Sequence, residues 1–206
     1  MRGRGFTLLE VLVAATLSLL VLLVAYQLLV PSTRLAIQGA SRTEVQQRCA
    51  LILGRLVEDL QTSSAAGISY QNSTGPDEPA VIAIQPLEEV TSDPRTLYSR
   101  QLRTWTWTSA DRTLRCHHWS EEPPGIVLEE VFPNRLDSAA LRLLTGLPAA
   151  AQTRTVIRDV VELSLSSPAG GGNIGRPLTL RLALEKRANP PVRFELERAV
   201  VLRNAL

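Results

Sequence analysis

The residue with the clearest chemical purpose is Glu10, a carboxylate inside the apolar run FTLLEVLVAATLSLLVLLVAY. A charge at the centre of a membrane-crossing helix costs about 2.5–3.5 kcal/mol on insertion scales, and less near an end. A carboxylate kept in such a place can neutralise a cation at the start of its own helix or on a neighbour. Arg2 and Arg4 precede it, and the charged leader gives way to apolar residues at Gly5 and Phe6. From Val11 to Val30 no charge occurs, a length of about 20 residues, enough to cross the hydrocarbon core of a bilayer. The leader arginines favour a cytoplasmic amino terminus with the rest of the chain crossing. An ordinary secretory signal, with its shorter apolar region and a small-residue cleavage site behind it, fits poorly.

Elsewhere the reactive side chains do not form a recognisable set. His117 and His118 lie near Asp111, Glu121 and Glu122. Adjacent strand residues point to opposite faces, so the two imidazoles do not easily share an ion. No HExxH or CxxC spacing supports a metal. The run GGGNIGR leads into a strand, whereas a phosphate cradle opens a helix, so it reads as a hairpin connection. Trp105, Trp107 and Trp119 with Arg103, Arg112 and Arg115 have the composition of a single-strand binding surface. Cross-strand Trp and Arg pairs on a sheet face are the commoner cause. The net charge of +2 gives no electrostatic pull toward a polyanion. No nucleic-acid partner is therefore expected, with DNA uptake left open. Cys49 and Cys116 allow one bridge, or read equally well as two small buried apolar residues. No catalytic residues, metal or cofactor are expected.

The elements that carry these residues follow from periodicity. Beyond Pro31, apolar positions recur at Leu35, Val45, Cys49, Ile52, Leu56 and Leu60, and from Val45 onward they form one helical stripe. Glu44, Gln47, Arg48, Arg55, Glu58 and Asp59 fall off that stripe, and the helix is expected to stop around Ser63, Ser64 and Gly67. Pro31 reads either as a boundary or as a kink, because it removes a helical hydrogen bond. After Gly67 the pattern turns to period two: AVIAIQPL, a hairpin over RTWTWTSADRTLRCHHW, then TVIRDVVELSLS, PLTLRLALEK and VRFELERAVVL, with a helix-prone patch at Leu141–Leu144. One apolar face per strand predicts an antiparallel sheet packed on the helical stripe. The fold class is α+β: a long amino-terminal helix, half transmembrane and half amphipathic, on an antiparallel β-sheet.

The block RGFTLLEVLVA resembles the amino terminus of type IV prepilins and of the pseudopilins of type II secretion systems. That resemblance implies cleavage after Gly5 by prepilin peptidase, methylation of the new amine on Phe6, and use of Glu10 to pair with a neighbouring subunit's amine during assembly. It implies residues 1–5 as a cytoplasmic leader, 6–30 as a transmembrane helix, 31–66 as its amphipathic continuation and 67–206 as a pilin-like β domain outside the inner membrane. Implied partners are other pilin or pseudopilin subunits, the peptidase and an inner-membrane assembly platform. The ending FELERAVVLRNAL is similar to the last strand of minor pilins of the W type and of the J-type minor pseudopilin. The expected role is a minor structural subunit of a type IV pilus or secretion pseudopilus, not an enzyme. The alternatives are the J-type pseudopilin at a pseudopilus tip and, from another class, a membrane-anchored periplasmic enzyme or binding module.

Overall fold

A single helix, α1, is assigned from Leu8 to Gln61 and runs through Pro31 without a break. Proline inside a helix removes one donor and crowds the carbonyl four residues back. Here the Ser32 and Thr33 hydroxyls both donate to the carbonyl of Leu29, at 2.9 and 2.7 Å. Helical structure thus continues through Pro31, so the boundary it suggested is not there. The computed structural model describes residues 7–90, 96–131, 133, 135–146, 152–168, 177–187 and 190–202. The chain divides into two units, Met1–Thr43 and Glu44–Leu206. The first consists of the amino-terminal part of α1, whose side chains are almost all exposed.

Among the described residues the second unit holds the last turns of α1 and all the strands. In chain order these are β1 (Ile68–Gln71), β2 (Ala80–Ile84), β3 (Leu87–Val90), β4 (Thr96–Tyr98), β5 (Leu102–Thr108) and β6 (Thr113–Trp119). Helix α2 (Ser138–Gly146) follows, then β7 (Gln152–Ile157), β8 (Val160–Ser166), β9 (Leu178–Lys186) and β10 (Val192–Val200). They do not form the one sheet expected. Five strands pair in the order β1-β2-β5-β6-β7, three form the meander β10-β9-β8, and β3-β4 is a separate ribbon, all antiparallel. The glycine-rich 170–175 stretch lies outside the described residues.

The split into two sheets occurs inside the segment TVIRDVVELSLS, which reads as one strand. Asp159 takes a left-handed conformation, φ 67°, and breaks it. Aspartate tolerates that region better than most residues because its short polar side chain bonds locally. The flanking backbone is tied on both sides: Val160 N–H donates to Arg112 O and Glu185 N–H to Asp159 O, each at 2.9 Å. Arg112, at φ 53°, makes the matching turn in the β5–β6 hairpin. There the Asp111 carboxylate accepts from the Thr113 N–H at 3.1 Å.

Two sheets explain why the buried stripe of α1 is broader than the sequence suggested. Leu53 and Val57 join Val45, Cys49, Ile52, Leu56 and Leu60 in the core. Ile82, Trp105, Trp107 and Leu114 of the larger sheet and Leu163, Leu180 and Leu182 of the smaller belong to the same cluster. A helix covered by two sheets needs an apolar arc, not a single row. On the other face of the larger sheet, Leu141 and Leu144 of α2 pack with Val81, Ala83, Leu102, Trp119, Ile126 and Leu128. Strand β2 is buried along its whole length, which accounts for the unbroken apolar run AVIAI. Asp137 caps α2, accepting from Ala140 N–H at 2.8 Å.

Two charges expected on the free side of α1 are fastened to strands. Asp59 accepts from Arg103 Nη1 at 2.5 Å and from Trp105 Nε1 at 2.9 Å. Glu44 is shared by Arg48 and Lys186, at 2.6 and 2.5 Å, and the Lys186 ammonium holds its carboxyl below the usual carboxylate range, with Arg48 adding to the effect. The helix ends at Gln61, just ahead of the stop signals at Ser63, Ser64 and Gly67, and the chain turns there. A Cβ placed on Gly67 would sit 2.8 Å from the Gln85 carbonyl oxygen and 3.0 Å from the Tyr98 ring. Gly67→Ala should therefore cost about 1–3 kcal/mol, the usual range for overpacking, read as a lowered midpoint in urea.

Because that core lies entirely within Glu44–Leu206, a fragment beginning at Ser32 should fold without the apolar segment. Circular dichroism should show a cooperative melt. A molten product would mean that residues 8–31 belong to the folding unit.

Candidate functional site

The first turn of α1 is closed by a reciprocal cap. Glu10 N–H donates to Thr7 Oγ1 at 3.3 Å, while Thr7 N–H and Thr7 Oγ1 donate to Glu10 Oε2 at 3.0 and 3.1 Å. Helix starts leave several N–H groups without partners. A Thr-x-x-Glu pair satisfies two of them at once and sets a carboxylate at the positive end of the helix dipole. This partner of Glu10 was not anticipated. The signal was present as Thr7-Leu8-Leu9-Glu10 ahead of an apolar run. Gly5, Phe6, Arg2 and Arg4 lie outside the described residues, so the cleavage position and the leader charges remain expectations.

Behind the cap, Glu10 is the sole charge from Leu8 to Thr33. Leu12, Leu17, Leu20, Leu23 and Leu28 are 56–69% exposed. Among the described residues α1 is the helix long and apolar enough to cross a membrane. Its hydroxyls are satisfied internally: Thr16 donates to Val13 O and Ser18 to Ala14 O, both at 2.8 Å. Such internal bonding suits a helix in lipid or against other apolar helices, where no water can take the proton. An apolar surface this long needs a bilayer or other protein to cover it.

The other candidate side chains take structural places. His117 is 5% exposed and lies between two hydroxyls, with Nε2 2.9 Å from Thr106 Oγ1 and Nδ1 2.8 Å from Thr153 Oγ1. His118 faces the opposite side and is half-buried. Among the described residues no three His, Cys, Asp or Glu side chains come together as metal ligands. Trp105, Trp107 and Trp119 are 2, 6 and 1% exposed. Their indole N–H groups donate to Asp59, to Val160 O at 3.1 Å and to Thr104 Oγ1 at 3.1 Å. No tryptophan face is open for a base to stack on. Cys49 and Cys116 are free thiols, so the one bridge the sequence allowed is not formed. Cys49 Sγ lies 3.6 Å from Leu182 O, and burial pushes both thiols up to about 11. They stay protonated at neutral pH and are poor nucleophiles.

Burial, with Arg115 nearby, lowers the pKa of His117. The unfolded chain therefore binds a proton that the folded chain refuses, between the folded value and the ordinary value near 6.5. Stability contributed by the neutral ring is complete above pH 6.5 and declines as the pH falls through that window. The slope for one proton is at most about 1.4 kcal/mol per pH unit. His117→Gln should flatten the slope between pH 7 and 5 in chemical-denaturation titrations. An unchanged slope would assign the pH dependence to the carboxylates.

Residues 1–26 match the family described as the prokaryotic N-terminal methylation motif. The chain carries a type IV prepilin amino terminus. It is also 34% identical over 98 residues to pilin-like protein PilA3 of Thermus thermophilus, covering 46% of this chain and 41% of that one. The chain thus spans less than half the length of that relative. The prepilin motif covers both halves of the cap and the first part of the exposed helix. A long apolar helix followed by antiparallel sheets completes a pilin-like α+β architecture. Motif and helix together suggest a membrane-anchored or filament-assembled protein.

Proposed function

We propose that the chain is a minor structural subunit of a type IV pilus or a type II secretion pseudopilus. It enters the inner membrane with its amino terminus cytoplasmic and its second unit in the periplasm. Prepilin peptidase cleaves after Gly5 and methylates Phe6. The assembly platform then adds it to other pilin or pseudopilin subunits through residues 8–30, and it reaches the surface only within a filament. The observation that carries this reading is a capped carboxylate, Glu10, at the head of an exposed apolar helix inside the methylation motif. The proposed role is structural rather than catalytic, a reading supported by His117, held between two hydroxyls, and by Cys49, enclosed in the core.

The similarity of FELERAVVLRNAL, much of which forms β10, to the J-type minor pseudopilin supports a tip position in a secretion pseudopilus as the second reading. Mass spectrometry of the amino-terminal peptide from cells with active prepilin peptidase tests the proposal. The expected species begins at N-methylated Phe6. A mature chain still beginning at Met1 overturns it.

A further inference from the structure

The second unit contains an open cleft of about 520 Å³ between α1 and β7, formed by Arg48, Leu51, Ile52 and Arg55 on one side and residues 155–159 on the other. Among the described residues strand β7 is the edge of the five-stranded sheet, paired only with β6, and residues 152–155 are exposed. An edge strand presents backbone N–H and C=O groups that another chain can pair with. The floor is apolar: Leu51 is 68% exposed, and Val156 and Ile157 are half-buried. The walls are cationic. Among the described residues Arg55 and Arg158 have no carboxylate partner, and Arg48 must share Glu44 with Lys186. Among the described residues Asp159 is the one acidic side chain lining the cleft.

An open hydrogen-bonding edge beside an apolar floor fits an extended peptide, which gains affinity from main-chain bonds and selectivity from alternate side chains. Unpaired guanidinium groups add a preference for carboxylates, which arginine can hold with two parallel hydrogen bonds. A single-stranded nucleic acid would need aromatic platforms, and no aromatic side chain lines this cleft. We propose that the α1–β7 cleft binds an acidic, extended segment of a partner protein, which joins the sheet beside β7 and sets its carboxylates against Arg55 and Arg158. The proposal does not depend on filament membership.

The test uses the full chain in detergent micelles and a fluorescein-labelled ten-residue peptide of alternating Glu and Val. Fluorescence anisotropy should show saturable binding that weakens as salt is raised. A Lys/Val peptide of the same length should not bind. Arg55→Glu combined with Arg158→Glu should weaken the Glu/Val peptide at least tenfold, and Arg55→Lys with Arg158→Lys should retain most of the affinity. Both arginines are exposed, so circular dichroism should match the parent in each case. Hydrogen exchange should show new protection at 152–157 when the peptide is bound. Unchanged affinity in the Glu variants, protection located elsewhere, or displacement of the peptide by a fifteen-residue oligothymidylate would overturn the proposal.

Discussion

Leu56→Asp should leave the second unit unfolded, while Arg55→Asp, its immediate neighbour, should leave it folded. Leu56 is 1% exposed, within the cluster formed by α1 and both larger sheets. Losing that side chain forfeits about 1.5–3 kcal/mol of burial, and an unpaired carboxylate in its place adds a desolvation penalty of several more. Domains of this kind have only about 5–15 kcal/mol in hand. Arg55 points outward, and exposed substitutions usually stay within about 0.5 kcal/mol. Thermal melts of the fragment beginning at Ser32 decide the matter. If both variants melt with the parent, α1 does not pack on the strands in this register.

The second large effect is expected at Glu10. Glu10→Val should insert into the membrane at least as well as the parent, since it removes the one charge in the span. Its incorporation into sheared filament material should nonetheless be lost. The Thr7–Glu10 cap makes a control available. Thr7→Ala removes the hydroxyl bonds of the cap, a change worth about 0.5–2 kcal/mol at a helix start, but keeps the carboxylate. If Glu10 pairs with a neighbouring subunit's amine, Thr7→Ala should assemble far better than Glu10→Val. Equal failure of the two variants would assign the requirement to the local cap instead.

The helical stripe, the Trp105–Cys116 hairpin and α2 were all legible in the sequence, because periodicity reports which face of an element is buried. The number of sheets was not. It turns on Asp159, one residue in a left-handed conformation, and the alternation on either side of it continues as if the strand were unbroken. The short strands β1, β3 and β4 were also missed, having three or four residues each, too few to establish a period. Glu10 stood out because a charge in an apolar run is anomalous, whereas its Thr7 partner is an ordinary polar residue. Asp59 was placed on the solvent side because the stripe alone decided the faces. Its bonds to Arg103 and Trp105 depend on tertiary contacts that no local pattern encodes.

The tie between Glu44 and Lys186 spans 142 residues, and that from Cys49 to Leu182 spans 133. The part of α1 that forms the core is therefore synthesised long before β9, one of the strands that cover it. At ribosomal rates of about 5–20 residues per second the delay is on the order of ten seconds. Throughout that interval the face bearing Ile52, Leu53, Leu56 and Leu60 has no β9 to pack against. Closing so distant a contact is also slow in itself, since folding rates fall as contacts become less local. Until the last strands arrive the larger sheet alone can cover that helix, and a truncation anywhere before Leu178 leaves the side that faces Leu180 and Leu182 open.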